Sequence, residues 1–442
     1  MDFSAYQEAI QISQPVLPEG KVDQVVGLIV EGYGPQMSVG AVCDLVTTQG
    51  RRIPAEVVGF KEKRMLLMPY GEMQGIQLGC RIVPRQQQPL APVGDAYLGR
   101  VIDGLGQPMD DKGPIAATDM YPLYADVVNA LHRRSVNQVS DVGVRVINSF
   151  ITVGQGQRVA IMAGSGVGKS VLMGMISRHM ASDVCIVALI GERGREVKDF
   201  VDEILGPDGM GRSIVVAATS DTSPLVRMRG AYLATTLAEY FRDQGKNVIL
   251  MMDSVTRFAM SSRDVGLAAG EPPTVKGYTP SFFVKLPKLL ERAGSVQGKG
   301  SITGIYTVLV EGDDMNDPVG DAVRSIVDGH IVLSRKLANQ GHYPAVDVLA
   351  SVSRVMRATV SGEHTRMAQR FREVLAAYQN VEDLISIGAY VDGSDPDVDY
   401  AKSMIGKMKQ FLRQDMMEGV SYEECVQQLT ALFGTVEKAA KK

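Results

Sequence analysis

The stretch from Ala163 to Ser170 reads AGSGVGKS and stands between the apolar runs RVAIM and VLMGMI. A strand that breaks into a glycine turn and then opens a helix aims backbone N–H groups at one point, where the helix dipole adds positive potential; that arrangement binds phosphate. Gly164, Ser165, Gly166, Val167, Gly168, Lys169, Ser170 and Val171 form the expected nucleotide cradle. Lys169 is placed to reach the β- and γ-phosphates of ATP, and Ser170 to ligate Mg2+. Ala163 occupies the first position of the usual G-x-x-x-x-G-K-[ST] pattern, so the match rests on the glycines that follow and on the strand-to-helix context.

Chemistry on a held phosphate needs carboxylates. Asp253 ends NVILMMD, an apolar strand with a terminal acid of the kind that holds Mg2+ through water. Glu192 follows CIVALIG and so falls at the carboxyl end of another buried strand, the edge on which ligands of α/β sheets collect. It is the candidate to polarise the attacking water, although Glu196 lies in the same GERGREVKD stretch and spacing does not choose between them. Arg193 and Arg257 lie beside these acids and suit either γ-phosphate stabilisation or structural ion pairs. Arg354, in ASVSRVMR, is far along the chain from the glycine turn and is a candidate to face a neighbouring subunit. Tyr343, in GHYPAVD, fits either stacking on adenine or ordinary loop packing. The acidic EGDDMNDP has no regular ligand spacing and reads as a solvated loop or subunit contact.

The elements that must position these residues follow from hydrophobic pattern. Residues 21 to 83 break into brief apolar pieces between glycine-rich or charged turns, which reads as a small β-barrel. VPRQQQPLAPVG, Val83 to Gly94, reads as a linker. From about residue 150, continuous apolar strands (RVAIM, DVCIVALIG, SIVVAATS, NVILMMD, SITGIYTVLV, HIVLS) alternate with helical segments, the signature of a parallel sheet covered on both faces. Beyond roughly residue 360 the pattern is helical, with a Pro-started helix at DPDVDYAKSM and a capping-box start at SYEE. The expected fold class is α/β, with an N-terminal segment and barrel over 1–92, an ATPase core over 93–360 and a helical domain over 361–442.

Composition narrows the partners. The 442 residues carry 46 Lys plus Arg against 50 Asp plus Glu, a net charge of -4, which supplies no general pull toward nucleic acid or anionic lipid. The four cysteines are scattered, without metal-site or disulfide spacing, which fits a reducing cytoplasm. The N-terminus has no signal-peptide pattern, and no apolar run is long enough to span a bilayer. Phe3, Tyr6 and Ile10 fall at helix-like spacing and form an apolar stripe suited to docking.

AGSGVGKS, LIGERGREVKDF, MMDSVTRFA, GEPPTVKGYTPS, VLVEGDDMNDP, DGHIVLSRKL, YPAVD and SVSRVM together resemble the ATPases of type III protein export, relatives of the catalytic subunit of rotary ATP synthases. The resemblance runs through nearly the whole chain and implies a RecA-like P-loop core. It also implies that Glu192 is the general base, that Arg193 and Arg257 contact γ-phosphate, that Tyr343 stacks on adenine, and that Arg354 is an arginine finger for the adjacent subunit. Glu196 then stands behind Glu192. Further implications are a homohexameric ring over a coiled-coil stalk protein, a stator bound through the N-terminal segment, and work at the membrane export gate on export chaperones and substrates. The expected place is the cytoplasm, peripheral to the inner-membrane export apparatus.

Gly194 and Val197-Lys198 depart from the Thr and Gly-Asn that the rotary subunit typically carries, and the acidic lever of that subunit has no counterpart here. Within the export family, AAYQNVEDLISIGAYVDGS looks more flagellar than injectisome-like. A Rho-like RNA translocase shares the barrel-plus-ring plan, but residues 1 to 92 have no basic-aromatic cluster apart from GFKEKR, so no nucleic acid partner is expected.

Overall fold

The computed structural model describes residues 18–310 and 317–440, with side chains up to residue 433. The helix-spaced stripe of Phe3, Tyr6 and Ile10, and residues 311–316 of EGDDMNDP, lie outside the described residues.

The short apolar pieces near the amino terminus cannot bury a face singly, and they close on one another. Gly20–Val26, Ile29–Tyr33, Val42–Val46, Arg52–Lys61, Arg64–Pro69 and Arg81–Gln86 form a closed barrel in the order first, second, fifth, fourth, third, sixth. Val30, Leu45, Ala55, Leu67 and Ile82 fill its interior with no exposure. The stretch from Val83 to Gly94, expected as a linker, is instead mostly strand. Its first part completes the barrel, with Pro84 opposite Cys43 where the register shifts, a place that tolerates a residue without an N–H donor. Its last part, Leu90–Val93, pairs antiparallel with Asp119–Pro122. Proline and glutamine content misled because the irregularity sits inside the ladder.

The core sheet runs Val346–Ser353, Gly329–Leu333, Arg158–Ala163, Ser301–Leu309, Asn247–Asp253, Val184–Ile190, Ser213–Ala218, Val101–Asp103. Its pairs are parallel except those made by Val346–Ser353 and by the short Gly294–Ser295. Alternate residues of Val184–Ile190 show why such strands are continuously apolar. Ile186, Ala188 and Ile190 join the cluster under helices Pro224–Asp243 and Val255–Ala268, whereas Cys185, Val187 and Leu189 join the one under helix Lys169–His179. The parallel register brings Ala163 level with Leu309 and Leu189 level with Asp253, so the strands that carry the chemistry end on one edge.

Helices Gly362–Ser386, Pro396–Leu412 and Tyr422–Ala440 follow. Asp395 accepts from the N–H groups of Asp397 and Val398 to start the second, and Ser421 and Glu424 exchange bonds to start the third. Phe371 of the first is fully buried with its ring 4.3 Å from that of Phe150, which ties the helical region to the core. Met173, Met175 and Met180 are buried in the same cluster. Among the described residues no helix is long and apolar enough to cross a membrane.

Barrel and core are fastened by one buried carboxylate. Glu56 accepts from Tyr70 Oη at 2.8 Å, Tyr124 Oη at 2.9 Å and Arg229 Nη1 at 2.7 Å, the last from a helix of the core. Removing the guanidinium leaves a buried charge without its counter-ion, which costs about 3–5 kcal/mol. Arg229→Ala should lose that much stability in denaturant melts, and adding Glu56→Gln should restore part of it. A double variant as unstable as the single one would show that packing, and not the ion pair, fastens the junction.

Candidate functional site

The glycine turn is built by backbone that only glycine adopts easily. Gly166 has φ 76° and Gly168 φ 94°, both left-handed, and helix Lys169–His179 begins directly after. A Cβ at Gly168 would lie 3.5 Å from the ring of Tyr343, so that ring rests on the turn; its side is half exposed and free to receive a flat partner. Val167 is buried and anchors the turn, while Ser165, Ser170 and Val171 face outward. Ser165 is held by its carbonyl, which accepts from Arg335 Nη1 at 3.1 Å.

Lys169 reaches across the edge of the sheet. Its Nζ pairs with Asp253 Oδ1 and lies 3.8 Å from Glu192 Oε1, so one ammonium serves two carboxylates from two strand ends. Asp253 is nearly inaccessible, and Thr307 Oγ1 on the adjoining strand also donates to its Oδ1, at 2.7 Å. Burial pushes the Glu192 carboxyl up to about 8, helped by its hydrogen bond to Glu196 and by the Asp253 charge, against the pull of Lys169. Glu196 is pushed below its ordinary value, chiefly by that same bond and further by the Arg193 charge, against the smaller raising effect of burial. Glu192 thus holds the shared proton and Glu196 stays ionised.

The arginines divide. Arg193 caps the short helix Gly194–Asp199, points into solvent and pairs with Glu196 at 3.6 Å. Arg257 lies across the turn after Val184–Ile190: a Cβ on Gly191, itself at φ 72°, would come within 2.8 Å of Arg257 Cβ, and the guanidinium rests on Met260 Sδ at 3.7 Å. Neither is drawn into the Lys169 cluster in this structure. Arg354 is elsewhere altogether. It follows Val346–Ser353, which runs antiparallel from Val346 beside Leu333 to Ser353 beside Gly329. Because Leu333 is level with Ala163 and His330 with Ala160, Arg354 sits at the amino edge of the sheet, exposed, donating to the Arg324 carbonyl at 3.1 Å. A strand's length of about 3.3 Å per residue separates that edge from the cradle of the same chain.

Oxygen ligands for a metal are few. Among the described residues no cluster of three His, Cys, Asp or Glu side chains forms. Ser170 and Asp253 are a donor set that fits Mg2+, which keeps several waters and takes its remaining ligands from phosphate. Thr307 and Arg335 escaped sequence reasoning. Thr307 is a hydroxyl near the carboxyl end of a buried strand, a signal of a polar partner nearby, and Arg335 opens a helix two residues after a strand end.

The profile of the ATP synthase alpha/beta family, nucleotide-binding domain, matches residues 143–353, and that of the T3SS EscN ATPase C-terminal domain matches residues 360–431. The flagellum-specific ATP synthase of Pseudomonas aeruginosa is 50% identical over 98% of this chain and 96% of its own. The chain belongs to the flagellar and type III secretion ATPases. A type 3 secretion system ATPase of Xanthomonas euvesicatoria is 48% identical, covering 93% of each chain. Among solved structures, the assembled ATPase EscN of enteropathogenic Escherichia coli superposes with a TM-score of 0.89 at 45% identity, covering 93% of this chain and 99% of that one. EscN in complex with its central stalk EscO gives 0.86 at 44% identity over the same shares. In this ATPase family member the P-loop departs from the usual pattern only at Ala163, which is buried at the end of its strand.

The raised Glu192 carboxyl has a measurable consequence. Its ordinary value is 4.5, so between that and about 8 the folded chain holds a proton that the unfolded chain has lost. Stability from this group is therefore full below pH 4.5 and drains away as pH rises toward 8. Glu192→Gln mimics the protonated form, and nucleotide-free protein carrying it should melt higher than the parent at pH 8 with little difference near pH 5. A gap independent of pH would mean that Glu192 is ionised in the fold.

Proposed function

We propose that the chain hydrolyses ATP to ADP and phosphate as a homohexameric ring that energises type III protein export for flagellar assembly. The observation that carries the reading is the placement of Lys169 between Asp253 and Glu192 at the edge where the glycine turn opens. Lys169 and the turn N–H groups grip the triphosphate, and Tyr343, resting on Gly168, stacks on adenine. Ser170 and Asp253 hold Mg2+, which when bound supplies positive charge to the phosphate oxygens. Once phosphate takes the Lys169 ammonium, the proton on Glu192 passes along their shared bond to Glu196, and the ionised Glu192 orients the attacking water and accepts its proton. Arg193 and Arg257 reach γ-phosphate after side-chain rotation, for which the exposure of Arg193 leaves room.

Arg354 acts in trans. Its exposed position at the amino edge, a strand's length from its own cradle, supports this reading. A ring of identical subunits then completes one site at every interface. The flagellar branch rests on the AAYQNVEDLISIGAYVDGS segment, since identities of 50% and 48% to members of the two branches are nearly equal. The EscN–EscO complex supports a coiled-coil stalk protein as a partner here. A stator bound through the N-terminal segment, the membrane export gate, and export chaperones with their cargo complete the proposed set, in the cytoplasm against the inner membrane.

Arg354→Ala should bind ATP and lose roughly 10³ to 10⁵ in phosphate release. Lys169→Ala should be inactive because it lacks the phosphate grip. Mixed and allowed to exchange subunits, the two should regain activity that rises with protein concentration, since some interfaces pair an intact cradle with an intact finger. A mixture that stays inactive after demonstrated co-assembly overturns the shared site. Glu192→Gln should retain ATP and slow turnover by roughly 10² to 10⁴; full activity would move the role to Glu196.

Docking is separable from catalysis. Deleting residues 2 to 18 should preserve basal hydrolysis and abolish stator capture in a pull-down, and capture by the truncated chain would rule the docking role out. Co-purification of rod, hook or filament subunits would mark the flagellar branch, and of effectors the injectisome.

A further inference from the structure

A cavity of about 520 Å³ opens where the barrel meets the core, away from the nucleotide edge. Its barrel wall is Val39 and Val58, and its core wall includes Leu225, Met228 and Val265 from two helices. That volume is in the range of small-molecule sites, which pair an apolar lining with a few placed polar groups.

The polar groups are unequal. Glu56 lines the cavity but is already spent on Tyr70, Tyr124 and Arg229. Arg292 lines it too and is equally committed, with Nε and Nη2 on Glu239 and Nη1 on the Leu123 carbonyl. Lys285 is different. It shares one face of helix Pro280–Leu290 with Lys288, three residues on, and both border the cavity. Burial pushes the Lys285 ammonium down, and the acids acting on it through space, Glu271 first and then Glu56, have other duties. Glu271 Oε2 accepts from the N–H of Ser281 at 3.1 Å, at the start of the same helix. Opposing these two lysines at the mouth is the exposed carboxylate of Asp126. The cavity therefore presents an apolar floor and a half-buried cation whose nearest acids are occupied.

We propose that this cavity is a second ligand site, separate from the nucleotide cradle, that takes a small amphipathic anion with its acidic head on Lys285 and its apolar body against Val58, Leu225, Met228 and Val265. The head replaces the counter-ion that Glu56 and Glu271 withhold, and Lys288 adds attraction at the entrance. Both walls contribute, so occupancy bridges barrel and core beside the Glu56–Arg229 fastening.

The test uses the full chain with saturating ADP, so that the cradle is filled, and 1-anilinonaphthalene-8-sulfonate as the probe, followed by its fluorescence and by calorimetry. The expected result is one saturable site per chain, with decanoate competing and the uncharged analogue N-phenyl-1-naphthylamine failing to compete. Lys285→Met keeps the apolar stem and removes the charge; it should weaken binding about tenfold or more, the usual size of a charge-assisted contact, while Lys285→Arg retains it. Val58→Trp should block the site from the barrel side. Basal ATP hydrolysis without probe should be unchanged in Lys285→Met, which shows that the variant folds. Equal affinity in the parent, Lys285→Met and Val58→Trp, or loss of the probe to ADP alone, would overturn the proposal.

Discussion

One ammonium between two carboxylates is the constraint to which the nucleotide edge of this protein is built. Lys169, Asp253 and Glu192 come from three chain segments far apart in sequence, and only a parallel sheet brings the ends of their strands to one line. The pairing is also unfinished. Two acids and one cation leave an excess of negative charge at a poorly solvated edge, and Glu192 relieves it by holding a proton with Glu196. In the function proposed here a polyphosphate competes with both acids for the same ammonium. Phosphate binding and the release of the carboxylates for chemistry are then one event, because a single side chain couples them.

The backbone of the cradle shows the same economy. Gly166 and Gly168 take left-handed conformations so that the chain can turn and open its helix in a few residues, and the turn so formed gives the Tyr343 ring a surface to rest on. Gly191 adds a second demand on the neighbouring strand, where any side chain would meet Arg257. Glycine at 191 serves close approach as much as backbone freedom.

Much of this was legible in the sequence because it is local. The strand, glycine turn and helix around Lys169, and the terminal acids of NVILMMD and CIVALIG, follow from runs a few residues long read against known element ends. The choice between Glu192 and Glu196 was not legible, since both lie in one stretch and differ only in depth, with side chains 18% and 47% exposed. Burial of that kind is set by what packs above the edge, not by spacing. Thr307 was missed for the same reason: its bond to Asp253 crosses between strands more than fifty residues apart. The barrel was readable from its short apolar pieces, but its last strand carries Pro84, and a proline inside a ladder reads as a break until the register shift that accommodates it is seen.

The edge strand Val346–Ser353 has a consequence that sheet order alone does not convey. An eighth parallel strand would have returned its end to the nucleotide edge and placed Arg354 near its own cradle. Running antiparallel, the strand begins beside Leu333, near Tyr343 and the turn, and finishes beside Gly329 at the far edge. The residues just before it and just after it are thereby assigned to opposite sides of the sheet. Tyr343 stays with the chain's own glycine turn, and Arg354 is presented outward with only the Arg324 carbonyl as its side-chain partner among the described residues. In a closed ring each subunit meets one neighbour with each side. Reversal of one strand thus separates the two ends of a short segment by the width of the sheet without any added domain, which is what the shared site proposed above requires.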